Sequence, residues 1–132
     1  MAGMKGNSFS QEREDAFRRV LREYDLPDEP DNIGYGEFWS DPTYDVMRRW
    51  FVKEKREVPE AIICANDTMA MTVSMFLQNM GVSVPEDCIV TGFDGLEEAE
   101  FYIPRFTTSR PDYDKMSQLI VDSILETYRF SS

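Results

Sequence analysis

Along the chain, apolar residues recur at two different spacings, and each change of spacing marks an element. After a glycine-containing start, Ser10 precedes a stretch in which Ala16, Phe17, Val20, Leu21 and Tyr24 return at three- and four-residue steps. This predicts an amphipathic helix that ends before Leu26-Pro27. Residues 31–38 read as a short strand in which Gly34 and Gly36 leave room for something to approach the backbone. Asp41-Pro42 predicts a helix start, with Asp41 as cap, Pro42 in the first turn, and Val46, Met47, Trp50 and Phe51 as the buried stripe.

The run 61–65 is continuously apolar, as expected of a strand covered on both faces. Asn66 or Asp67 caps the helix that follows, which carries Met69, Ala70, Met71, Val73, Met75, Phe76, Leu77 and Met80 and stops at Gly81. A helix apolar nearly all round must be buried on more than one side, so its methionines read as core filling. Residues 88–93 give another interior strand, 96–102 a short acidic helix, and 106–109 a last short strand after Pro104. A closing helix over 112–128 places Met116, Leu119, Ile120, Ile124 and Tyr128 on one face.

Strands alternating with helices predict an α/β fold, a parallel sheet flanked by helices and joined by right-handed crossovers. At 132 residues the chain is one domain's worth, so one site is expected. The two interior strands run into polar stops, Asn66-Asp67 and Asp94. Strand ends of this kind are where a parallel sheet holds its ligand.

Charge narrows the partners. Fourteen basic against 25 acidic residues give a net charge of -11, and between Arg56 and Arg105 the chain carries nine acids and no base. Such a field repels phosphates, which argues against nucleic acid or an anionic membrane as a direct partner of this segment. Nothing resembles a secretory signal, and the apolar runs are too short to span a bilayer. Cys64 and Cys88 fall in or at the start of interior strands and read as reduced core thiols. The absence of histidine removes the commonest general base, the serine-protease type of triad and most zinc sites, leaving carboxylates as the only basis for an enzyme.

A neutral polyol needs paired hydrogen-bonding groups for adjacent hydroxyls and an aromatic face for the C–H side of the ring. Asp94 and Asn66 at strand ends, Arg13 near the start of the first helix, and Phe38-Trp39 are the candidates. Each has a plainer reading: Asp94 before Gly95 as a turn, Asn66-Asp67 as a helix cap, Arg13 as a solvated helix charge, Phe38 and Trp39 as packing. A rival chemistry is a magnesium pocket made by Asp67 and Asp94, as in a phosphorylated receiver domain or a phosphatase. Such sites group more acids and add a lysine, and no lysine lies between Lys55 and Lys115.

Six segments carry a resemblance in order over almost the whole chain: Arg13-Glu14-Asp15-Ala16-Phe17, Gly36-Glu37-Phe38, Ala65-Asn66-Asp67-Thr68-Met69-Ala70, Val84-Pro85-Glu86-Asp87, Val90-Thr91-Gly92-Phe93-Asp94 and Phe106-Thr107-Thr108. The chain resembles the effector-binding domain of lac-repressor (LacI/GalR) family transcription regulators, a fold shared with periplasmic sugar-binding proteins. The resemblance implies that Arg13, Asn66 and Asp94 hold ligand hydroxyls while Phe38 covers the ring, with Phe9 a further wall. The chain departs from the pattern at Ala16 and Thr43, where glycines are usual, and at Pro111, which stands where many members carry a polar residue that reaches the ligand.

By the same resemblance, residues 1–132 form the carboxy-terminal lobe of a periplasmic-binding-protein-like type I sensor domain, and residues 111–132 form a helix that crosses to the other lobe. The amino-terminal lobe, the DNA-reading headpiece and the strand just before Met1-Ala2-Gly3 are expected outside this chain. The implied protein is a cytoplasmic sensor with no catalytic residue, metal or cofactor. It takes a sugar or related polyol, touches DNA only through the headpiece and does not associate with membranes. Exposed apolar surface predicts a homodimer or swapped oligomer. A periplasmic carrier, or a sensor joined to an AraC-type DNA-binding or cyclic-dinucleotide-making module, would use the same lobe.

Overall fold

The computed structural model describes residues 1–130. In chain order the elements are α1 (Ser8–Glu23), a 3-10 turn (Pro30–Asn32), α2 (Ser40–Met47), β1 (Ala61–Ile63), α3 (Asp67–Asn79), β2 (Ile89–Phe93), α4 (Glu97–Phe101), β3 (Thr107–Ser109) and α5 (Tyr113–Phe130). The three strands pair in parallel in the order β1-β2-β3, with Ile62 opposite Val90 and Gly92 opposite Thr108. The mixed α/β architecture with a parallel sheet is the one that the alternation predicts.

The expected strand over 31–38 is absent. Pro30 fixes the backbone of a 3-10 turn instead, and Glu37 and Phe38 both take left-handed φ values of 53° and 68°. What remains is one parallel bridge, Tyr35 with Ala2. Ala2 N–H donates to the Gly34 carbonyl at 2.7 Å and Gly36 N–H to the Ala2 carbonyl at 2.9 Å. On the other side of this segment the Met1 ammonium donates to the Ile63 carbonyl at 2.6 Å, and Ala65 N–H to the Met1 carbonyl at 3.0 Å. Residues 1–3 thus hold a strand's place between residues 34–36 and the end of β1.

The core lies on one side of the sheet. Met69, Ala70, Val73 and Leu77 of α3 are fully buried, together with Met47 of α2, Val90 of β2 and Cys88. α2 runs on into a single wide π turn, Arg48–Lys53, which delivers Trp50 and Phe51 to the same core. At Gly36 a β-carbon would collide with the Thr43 hydroxyl and the Met69 sulfur, so the room left at that glycine is filled by this chain's own core. Thr43, at a position where the resemblance expects glycine, is fully buried and donates its hydroxyl to the Trp39 carbonyl at 2.7 Å, fastening the first turn of α2.

Three expectations about packing and caps need correction. The run 61–65 is covered on one face only: along β1 the residues alternate exposed, buried, exposed. The apolar stripe of α1 is not pressed into the core, because Val20 and Tyr24 are exposed and Phe17 and Leu21 only half-buried. An open groove of about 620 Å³ separates α1 from the sheet, lined by Phe17, Leu21, Ile33, Ile63 and Phe93. The helix starts also differ: α1 begins ahead of Ser10, capped by Asn7, and α2 begins at Ser40 with Asp41 inside its first turn.

α5 follows Pro111 with residues 113–128 all exposed, including Met116, Leu119, Ile120 and Ile124. The last two residues of the expected helix over 111–132 lie outside the described residues. Cys64 and Cys88 are buried and unpaired, in agreement with core thiols.

Candidate functional site

The carboxyl ends of β1 and β2 meet the start of α1, and three of the expected residues come together there. α1 is held by charge more than by apolar packing. Arg18 bridges Glu14 at 3.1 Å and Asp28 at 2.5 Å, Arg22 reaches Asp28 at 2.6 Å, and the Tyr35 hydroxyl donates to the other Glu14 oxygen at 2.9 Å. Glu14 and Asp28 are largely shielded from solvent, which makes these pairs worth more than open surface ones.

With α1 so fixed, the exposed Arg13 extends across the strand ends. Its Nη1 donates to the Ala65 carbonyl at 2.7 Å, and the guanidinium lies 4.6 Å from the centre of the Phe93 ring. Ala65 precedes Asn66 and Phe93 precedes Asp94, so one arginine spans both strand ends. Further guanidinium N–H groups remain beyond that carbonyl contact. Phe9 sits one helical turn before Arg13, on the same face of α1, and is 70 % exposed.

Asn66 is the N-cap of α3. Its Oδ1 accepts from Met69 N–H at 2.9 Å while its Nδ2 donates to the Phe38 carbonyl at 3.0 Å. Half of its hydrogen-bonding capacity therefore serves the fold, ties the Phe38 turn to β1, and leaves one donor and one lone pair. The Phe38 ring lies against the Cα of Gly3 and packs on the core, so it forms a wall at that end of the sheet. Trp39, next along, is 69 % exposed.

Asp94 leaves β2 in a left-handed conformation, φ 104°, which is strained for a residue with a side chain. Its N–H donates to the Ser109 carbonyl at 2.9 Å. Partial burial pushes its carboxyl above the ordinary aspartate range; the charge of Asp67 adds to the rise and that of Arg13 opposes it.

Asp67 itself is fully buried. One oxygen accepts from Leu96 N–H at 2.7 Å and the other from the Thr108 hydroxyl at 2.5 Å. Its carboxylate is thus committed within the fold, and no cluster of three metal-ligating residues occurs among the described residues. That removes the basis for the magnesium-pocket reading. Asp67, a cap or a ligand by its position in the sequence, instead tethers the loop after β2. The roles of Thr108, Phe93 and the Ala65 carbonyl likewise arise from register between β1, β2 and β3 that no local pattern encodes.

The arrangement can hold a neutral, hydroxyl-bearing molecule: donors from Arg13, an acceptor from Asp94, one of each from Asn66, and apolar rings from Phe38 and Phe9. A second anion near Asp94 and Asp67 would be repelled.

Known proteins share this arrangement of elements. The profile of the periplasmic binding protein-like domain matches residues 1–129. An HTH-type transcriptional repressor PurR from Vibrio parahaemolyticus is 37 % identical over 116 residues, covering 88 % of this chain and 34 % of the repressor. Among solved structures, a LacI-type transcription regulator from Bifidobacterium animalis superposes with a TM-score of 0.76 at 30 % identity, over 89 % of this chain and 41 % of that one. The transcriptional regulator CelR in complex with cellobiose gives 0.79 at 26 % identity, over 96 % and 39 %. The chain spans about a third of the length of the curated relative. It belongs to the periplasmic binding protein-like domain family, in the form that LacI-type transcription regulators carry as their effector-binding domain.

Proposed function

We propose that this chain is the carboxy-terminal lobe, residues 1–132, of the effector-sensing domain of a cytoplasmic LacI-type repressor, and that its effector is a sugar or related polyol. The observation that carries this reading is the convergence of Arg13, Asn66 and Asp94 at the ends of β1 and β2. Arg13 and Asp94 offer complementary donors and an acceptor to neighbouring hydroxyls, while Phe38 and Phe9 cover the apolar side of a ring. The cellobiose in the CelR complex supports a carbohydrate over other neutral ligands.

Sensing follows from two lobes. A ligand that touches both favours their closed arrangement, and that differential affinity changes the geometry of DNA-binding heads in the full-length dimer. The lobe works by binding, not by catalysis. Among the described residues no helix is long and apolar enough to cross a membrane, and the net charge of -11 leaves DNA contact to a separate headpiece.

The test is a titration of the full-length protein with a panel of mono- and disaccharides and nucleosides, read by Trp39 fluorescence and calorimetry. At least one sugar should bind, and Asp94→Ala should abolish both the binding and the effector's control of operator occupancy. Silence toward every member of the panel, with unchanged regulation in Asp94→Ala, would overturn the proposal.

A further inference from the structure

The buried carboxylate of Asp67 stands one strand away from the half-buried one of Asp94, and the two are used differently. Asp67 receives Leu96 N–H and the Thr108 hydroxyl. The Thr108 oxygen in turn accepts Gly95 N–H at 3.3 Å. At Gly92 a β-carbon would collide with Asp67 Oδ1, so β2 runs flush against this carboxylate. The two residues following Asp94 are therefore both held by their N–H groups, through a buried acid on α3 and a hydroxyl on β3. Asp94 is the strained residue immediately before that clamp, with its own N–H bound to Ser109 of β3.

We propose that Asp67 and Thr108 are positioning residues for Asp94: by fixing the Gly95 and Leu96 amides they hold Asp94 in its left-handed conformation. A strained backbone persists only where its surroundings over-determine it, and this clamp supplies the constraint. A fully satisfied buried carboxylate gives a stiffer support than a solvated loop would. The Asp67 charge has a second effect, since it makes the Asp94 carboxyl harder to ionise. Importance of the clamp for the effector rests on the binding role assigned to Asp94 above, whereas the clamp itself is measurable without any ligand.

The experiment uses the 132-residue chain in three variants, Asp67→Asn, Thr108→Val and the conservative Thr108→Ser. Amide hydrogen exchange and the NMR titration of the Asp94 carboxyl are followed, with the Val73 and Leu77 amides as controls for global folding. In Thr108→Val, which removes the acceptor of Gly95 N–H, exchange at Gly95 should rise about tenfold while Val73 and Leu77 keep their protection, and Thr108→Ser should restore the parent rate. In Asp67→Asn the Asp94 carboxyl should titrate at lower pH than in the parent. Unchanged Gly95 exchange in Thr108→Val, or an unmoved Asp94 titration in Asp67→Asn, would overturn the proposal. If no sugar binds the full-length protein yet these signals move as stated, the clamp stands and only the effector reading fails.

Discussion

Ile62 and Val90, paired on one face of β1 and β2, keep 5 % and 1 % of their surface, whereas Ile63 and Ile89, one step along or back, keep 52 % and 50 %. The residue types are the same on both faces, so the difference comes from what covers each. Below the closed face, Met69, Val73 and Leu77 of α3 and Met47 of α2 form one buried cluster with Ile62 and Val90. Above the open face, α1 stands off across its groove, tethered by Glu14, Arg18 and Asp28 at its edge. Apolar strand composition therefore reports the capacity to be buried on two sides, and says nothing about which neighbour does the burying.

The comparison is tested most sharply by truncating the closed face. Leu77→Ala should cost about 2–5 kcal/mol, because a fully buried leucine loses its transfer energy and leaves a cavity in a packed core. Urea unfolding gives the value, and a loss below about 1 kcal/mol would mean that α3 does not form the main core. On the open face the expectation reverses. Ile63→Ser should cost under about 1 kcal/mol in a dilute chain, since about half of that side chain already meets water. A cost near that of Leu77→Ala, growing with protein concentration, would show that a second copy covers the open face.

Much of this architecture was legible in the chain. The helix from Asp67 to Asn79 and its stop at Gly81 follow from an apolar surface nearly all round and a glycine with φ +79°. The parallel sheet followed from strands alternating with helices. What failed had identifiable physical causes. Residues 31–38 carry a strand-like composition, but Pro30 and the left-handed Glu37 and Phe38 leave only Tyr35 paired. The stripe of α1 has helical period and real amphipathicity, yet period cannot distinguish a helix seated on the sheet from one poised over a groove. At the site, Asn66 and Asp94 stood out because strand ends in a parallel sheet collect polar groups, whereas Arg13, inside α1, was singled out by the family resemblance. Asp67 and Thr108 did not stand out as a pair, because their partnership links residues 41 positions apart.

The smallest effect concerns water rather than stability. Cys64 follows Ile63 and returns to the closed face, where burial pushes its thiol up to about 11. A cysteine introduced by Ile63→Cys on the open face should titrate near the ordinary value of about 8.5. At pH 8.5 the iodoacetamide reaction of the introduced thiol should exceed that of Cys64 by at least about 100-fold, as thiolate fraction sets the rate; peptide mass mapping separates the two. The sign of the linked stability is fixed by the same shift. Since the folded-state value lies above the unfolded one, the neutral Cys64 thiol contributes fully below about pH 8.5. That contribution fades as pH climbs through about 11, so Tm should fall over that window and Cys64→Ala should flatten the fall. Comparable alkylation of the two thiols would mean that solvent reaches both faces of β1, and the distinction between a closed and an open face would be lost.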